Sequence, residues 1–265
     1  MNKITDAMHE IHEIDELAER DTRINQLHPL IKLLVTVIYI VLVVSYDKYN
    51  LLGLITMVIY PLLLFALADV SIGCCFHKLR VVLPMIFMIG IFNPIFDRNL
   101  LYHVGSFPVS GGMVSMITLI LKGTFALMAS FLLITTTGIE RFCYALKLLH
   151  LPSIMVTQIL LLYRYLTVLM AEANAVIEAY SLRAPKEKGV KYKIWGSLLG
   201  QLLFRSLDRA ENIYDSMLLR GFHGEYYYAK HQKLGKTDIT YFLLWIMILA
   251  LLRVLPIGQM VSIFF

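Results

Sequence analysis

Two sets of side chains in this sequence are spaced so that they could do chemistry. The first is His9 and His12, which meet about one helical turn apart with Glu10, Glu13 and Asp15 beside them, a set able to ligate a divalent metal. Two histidines alone leave a metal site incomplete, and the competing reading is the solvated face of an amphipathic N-terminal helix. His28, His77, His103, His150, His223 and His231 form no local cluster. The second set is a pair of arginines closing long helical patterns, in Tyr180-Ser181-Leu182-Arg183-Ala184 and in Met217-Leu218-Leu219-Arg220-Gly221. Both are expected in a last helical turn, where unpaired carbonyls and the helix dipole favour a cation. A guanidinium also presents five donors in a rigid fork, which suits carboxylates on another surface as an ammonium does not. Arg followed by Gly is equally an ordinary helix ending, so the residues alone leave capping and docking open.

Catalytic signatures are missing from the sequence. There is no GxxxxGK[ST] phosphate loop, and the glycine-bearing stretches nearest to one, residues 196–200 and Lys122-Gly123-Thr124, lack the spacing to cradle phosphates. Neither a nucleophile elbow nor an HExxH helix occurs. The chain is therefore expected not to be an enzyme and to carry no cofactor. Cys74, Cys75 and Cys143 are too few and too poorly spaced for a disulfide framework and make no CxxC pair, so they are expected as free packing thiols.

The elements that must position the two arginines sit in an apolar chain. Of its 265 residues 58% are hydrophobic and 16% charged, and the mean hydropathy of +0.69 points to lipid as the solvent. A net charge of +5 is not a nucleic-acid signal here, because basic residues accumulate in the cytoplasmic loops of membrane proteins. Residues 1–29 are polar and mostly acidic, with no early apolar region of a cleaved signal. Five stretches approach the ~17–25 apolar residues a crossing needs: 30–46, 49–68, 81–96, 109–137 and 239–257. Lys32 is near an end, where it is expected to snorkel to the headgroups. Pro84 and Pro94 make the third stretch a candidate for a kinked, tilted or re-entrant segment.

Lys and Arg number three in residues 1–29, two in a loop at 69–80 and fourteen in residues 138–238, whereas the opposite loops hold Lys48 and Arg98. The positive-inside rule then puts residues 1–29 and 138–238 in the cytoplasm. The expected fold is an all-α polytopic membrane protein of about five transmembrane helices with long cytoplasmic helices. Its parts are a cytoplasmic segment 1–29, a membrane region 30–137, a cytoplasmic helical region 138–238, and a final span with the C-terminus, 239–265.

Within the cytoplasmic region, residues 151–183 read as one helix, started after Pro152 and ended by Pro185 and Gly189. Residues 159–170 are apolar apart from Arg164, so a sixth crossing is open, although it would move Lys186, Lys188, Lys191 and Lys193 outside. A second helix is expected over 195–220, with Leu199, Leu203, Ser206, Ala210, Ile213 and Met217 at alternating steps of four and three on one seam. That seam calls for a partner helix, most simply the preceding one, with Ser206 and Ala210 small enough for a close crossing.

Ser206-Leu207-Asp208-Arg209-Ala210-Glu211-Asn212-Ile213-Tyr214, followed by Leu219-Arg220-Gly221-Phe222, resembles the C-terminal signature of the T component of energy-coupling-factor (ECF) transporters, the CbiQ/EcfT family. Leu27-His28-Pro29-Leu30-Ile31-Lys32-Leu33-Leu34 is similar to that family's lead into its first span, and the order of elements agrees over nearly the whole chain. The resemblance implies a transmembrane coupling subunit in which Arg183 and Arg220, with Ala184 and Gly221, dock on two ABC ATPase subunits. It also implies that the membrane part holds a substrate-binding S component, with a small accessory membrane subunit in some members, in the inner (plasma) membrane. The chain departs from the family at the first ending, Arg183-Ala184 where Arg-Gly is usual. The N-terminal half looks more like the cobalt-type members, so cobalt is the expected cargo, with nickel or a vitamin as the alternatives. A self-contained secondary transporter would show inverted repeats and intramembrane carboxylates, but the charges within the spans are Lys32, Lys122 and Arg253.

Overall fold

The structure, a computed structural model, describes residues 3–96, 100–104, 107–185, 189–224 and 234–254. Arg98, Lys186, Lys188 and positions 255–257 of the expected last span lie outside the described residues. In chain order the elements are α1 (Lys3–Glu19), α2 (Pro29–Val44), α3 (Leu51–Thr56), α4 (Ile59–Ala68), α5 (Ile72–Leu79), α6 (Leu83–Ile91), α7 (Asn93–Phe96), β1 (Leu100–Val104), β2 (Phe107–Ser110), α8 (Gly111–Thr137), α9 (Ile139–Leu148), α10 (Ser153–Arg183), α11 (Tyr192–Leu219) and α12 (Lys236–Val254). β1 and β2 form a small antiparallel pair, Val104 opposite Phe107. The remaining elements are helical, and the chain is an all-α polytopic membrane protein.

Leu51–Ala68, α8, α10 and α12 are each long and apolar enough to cross a bilayer. α5 and α6 pass only as a pair, bent by 61° at the break between them. Two expectations shift. α2 has 16 residues, or roughly 24 Å, short of a ~30 Å hydrocarbon layer. The 69–80 stretch, expected as a loop, is largely helix α5, with His77 and Lys78 in its last turn where the dipole suits them. The bend of the third stretch falls at residues 80–82 and not at a proline: Pro84 is in the first turn of α6, where its missing N–H removes no helical hydrogen bond.

By internal packing the chain forms two compact units, one of residues 17–138 and 232–265, the other of residues 1–16 and 139–231. The first, the bundle unit, is built around α2 and α8. Its core stacks Tyr39 on Tyr60 with ring centroids 4.2 Å apart, and Trp245 of α12 stands edge-on to Tyr60. The two phenols are satisfied locally: the Tyr39 hydroxyl donates to the Met57 carbonyl at 3.0 Å, and the Tyr60 hydroxyl lies 3.1 Å from Thr36 Oγ1. Such pairing is what allows buried polar tips in an apolar core.

Both ends of α2 are held by charges matched to its dipole. At its start the buried Asp238 carboxylate accepts from the His28 backbone N–H at 2.9 Å. At its finish the Lys122 ammonium donates to the carbonyls of Val44 and Tyr46. Arg253 donates to the Ser45 carbonyl at 3.3 Å, and its guanidinium stacks 4.2 Å over the Tyr46 ring. Lys32 does not snorkel: it is 4% exposed and donates to the Thr136 carbonyl at 2.8 Å, where the last turn of α8 leaves carbonyls unpaired. The three cations of the spans are therefore helix-end ligands. Their contacts make α12 run parallel to α2 and α8 antiparallel to it, so residues 28, 136 and 238 share one end of the bundle and residues 45, 122 and 253 the other.

Candidate functional site

The second unit carries the arginines and is built from α9, α10, α11 and the first part of α1. α9, which the residue pattern did not single out, turns into α10 through His150 at φ +61° and then Pro152 as the N-cap of α10. The two helices close on a small core of Cys143, Val156 and Leu160. Burial pushes the Cys143 thiol up to about 11, with the nearby Glu140 carboxylate adding to the shift, so it packs as a neutral group. Further along α10, Tyr163 donates a 2.6 Å hydrogen bond to Asp15 of α1.

α10 and α11 meet at an ion pair, Arg209 Nη2 to Glu172 Oε1 at 3.5 Å. Both partners are partly exposed, which keeps the pair at about 0–1 kcal/mol and makes it a register mark more than a source of stability. Glu172 carries no signal of this role in the sequence, because its partner is 37 residues away. The pair lies in a polar cleft that also includes Arg205, Asp208, Asn212 and Arg220. Beside it an apolar cleft of about 780 Å³ is lined by Leu161, Leu162, Leu169, Ile213, Met217 and Phe222 among others.

Of the seam residues, Ser206, Ala210, Ile213 and Met217 border that cleft facing α10, whereas Leu199 and Leu203 are 54% and 57% exposed. The more covered row in the first half of α11 is Ile194, Leu198 and Leu202, one position away from the expected register. No residue of α11 is fully buried, and Trp195, Phe204, Leu207 and Tyr214 add to the apolar surface it presents.

The two helix endings differ in build. Arg183 is the last residue of α10, and Ala184 follows at φ −127° with its N–H on the Tyr180 carbonyl at 3.0 Å. The helix stops there because Pro185 disfavours a helical residue before it. Arg220 is not within the last turn of α11 but is its C-cap. Gly221 sits at φ +80°, its N–H on the Leu218 carbonyl at 2.9 Å, while the Phe222 N–H reaches the Met217 carbonyl at 3.0 Å. These two bonds make a Schellman motif, with Phe222 and Met217 as its usual apolar pair. Arg183 and Arg220 are both exposed. Each is eleven residues from its helix's member of the Glu172–Arg209 pair, roughly 16 Å of helix. The pair thus carries two guanidinium tips on arms of equal length.

At the N-terminus, His12 Nε2 lies 3.9 Å from Glu16 Oε1, with both side chains over two-thirds exposed. Among the described residues no group of three or more His, Cys, Asp or Glu side chains is arranged to hold a metal ion.

Comparison with known proteins adds the context. A stretch of 91 residues is 31% identical to the nickel permease LarQ of Lactiplantibacillus plantarum, covering 34% of this chain and 33% of that protein. Another of 143 residues is 27% identical to an uncharacterised protein of Methanocaldococcus jannaschii, covering 53% and 49%. The chain thus spans a third to a half of the length of the curated relatives it matches. The CbiQ family of cobalt transport proteins matches residues 21–232, which takes in the bundle from α2 to α8, the ion-paired helices and both arginine endings but not α12, and this chain belongs to that membrane transport family.

Proposed function

We propose that this chain is the transmembrane coupling (T) subunit of an ECF-type ABC importer, passing the motion of two ABC ATPase subunits to a membrane-embedded S component that binds cobalt or nickel ions. The observation that carries this reading is the pair of exposed arginines at the tips of α10 and α11, set equally far from the Glu172–Arg209 contact. Two similar anchors on equal arms suit a motor of two similar subunits. When those subunits close or part, a helix pair held at both tips must tilt or splay.

The chain itself does no catalysis in this scheme, ATP hydrolysis belonging to the partner ATPases. The exposed apolar surface of α11, from Trp195 through Leu199 and Leu203 to Tyr214, serves as the bed for the S component, and a small accessory membrane subunit completes the assembly. The metal cargo is supported by the family's description and by the name of the nickel permease relative. The protein resides in the inner (plasma) membrane with residues 138–238 on the cytoplasmic side, supported by the fourteen Lys and Arg of that region.

Losing one partner of a desolvated, hydrogen-bonded charge contact costs about 2–5 kcal/mol at an interface. Arg220→Ala is expected to cut cobalt or nickel uptake at least tenfold, and Arg183→Ala combined with Arg220→Ala to abolish it and to release the ATPases during purification of a tagged chain. Wild-type uptake with intact ATPase association in the double variant would refute the docking role.

A further inference from the structure

We infer that a buried polar cluster at one end of the bundle, built on Lys32, Asn25 and Asp238, is the anchor through which the bundle receives motion, so that Lys32 and Asp238 are positioning residues for transport. This rests on the coupling role proposed above but concerns residues far in sequence from the arginines.

The chain passes between the bundle unit and the other unit three times, entering at residues 16/17, leaving at 138/139 and returning at 231/232. The cluster holds the described bundle residues nearest to each of these points. Asn25 Nδ2 donates to the carbonyls of Leu17, Ala18 and Arg20 at 3.0, 3.3 and 2.8 Å, gripping the end of α1. Lys32 Nζ donates to the Thr136 carbonyl at 2.8 Å and to the Asn25 carbonyl at 3.4 Å, joining the end of α8 to that grip. Asp238 receives the His28 N–H at 2.9 Å and the Gly235 N–H at 2.8 Å, fixing the entry to α12. Gly138 makes its turn at φ +69°, and a Cβ there would meet the Ala18 Cβ at 3.2 Å, so the first two of these points also touch each other.

Asn25, His28, Lys32 and Asp238 are 3%, 2%, 4% and 6% exposed. Burying charge is costly unless its hydrogen bonds are met, and here each buried side chain directs them to backbone groups beside the points where the chain passes between the units. The cluster's hydrogen bonds are directional and gather three chain segments at one place. Displacement arriving at any one of these points is then shared by α1, α2, α8 and α12 in place of being absorbed by fraying at a single helix end.

The test measures metal uptake and ATP hydrolysis by the wild-type complex, by Lys32→Met and by Asp238→Asn, with membrane abundance and ATPase co-purification followed for each. Lys32→Met removes the donor while keeping most of the stem's volume, and Asp238→Asn keeps shape but leaves one acceptor oxygen, so that one of the two N–H contacts is lost and the other loses its charge. The expected result is normal abundance, retained ATPases and continued hydrolysis, with uptake per ATP hydrolysed reduced at least tenfold in both variants. Unchanged uptake per ATP in either variant overturns the anchor alone, as does a parallel loss of abundance, association and uptake in both, which would mark a merely structural cluster. A wild-type chain that brings down no ATPase overturns the docking role and the anchor with it.

Discussion

Gly221 and Ala184 each follow an arginine at a helix end, yet their backbones differ, and with them the meaning of the two motifs. Gly221 occupies the left-handed region at φ +80°, while Ala184 is at φ −127°, where any residue is at ease. An alanine at 221 therefore strains the Schellman turn by about 1 kcal/mol and loosens the placement of Arg220. Gly221→Ala is expected to lower uptake several-fold and the thermal midpoint of the purified chain by a few degrees. Ala184→Gly relieves no strain, changes stability by less than about 1 kcal/mol and leaves uptake near wild type. Equal tolerance of both changes would show that the left-handed turn does not set Arg220. At this scale the sequence was informative wherever the cause is local: Arg220-Gly221-Phe222 already spells a Schellman ending, and Ala184-Pro185 a stop of another kind. Glu172 was not legible, since nothing near it in the chain points to Arg209.

For elements, legibility follows the same division between local and distant causes. The limits of α10 could be read from Pro152 and from the Arg183–Pro185 stretch because prolines act on their immediate neighbours. The register of α11 could not be fixed, because Leu198, Leu199, Leu202 and Leu203 supply two overlapping apolar rows and only the position of α10 selects between them. Nor could the work of the cations in the spans be read: Lys32, Lys122 and Arg253 have backbone carbonyls as partners, which leave no mark in sequence. This arrangement makes α2 the element most sensitive to those side chains. Removing the ammonium in Lys122→Met strips the carbonyls of Val44 and Tyr46 of a charged donor, a loss of about 1–3 kcal/mol. The expected outcome is a detergent-solubilised protein that melts several degrees lower, with Lys122→Arg recovering most of the difference. An unchanged melting curve for Lys122→Met would mean that the end of α2 is satisfied without it.

For the whole molecule, the bundle's internal contacts and the distribution of charge give the same division into two ends. His28, Thr136 and Asp238 share one end, where the chain runs on in sequence to the segments that carry most of the Lys and Arg, and Ser45, Lys122 and Arg253 share the other, close in sequence to Lys48. Between residue 69 and the start of α8 lies the bent α5–α6 pair: Ile86 lies against Gly123, and Gly90 against Met116 and Ile120, so α6 runs antiparallel to α8. The remaining question of orientation is α10, which is long and apolar enough to cross but would then put Lys191 and Lys193 on the side the positive-inside rule disfavours. Single cysteines replacing Lys48 and Lys191, in a chain whose Cys74, Cys75 and Cys143 are replaced, separate these arrangements. In intact cells a membrane-impermeant maleimide is expected to label position 48 and not position 191, and permeabilising the membrane to expose position 191. Labelling of position 191 from outside would make α10 a crossing, place the arginine tip of α10 on the wrong side for any ATP-driven motor, and reverse the direction in which the bundle could be pulled.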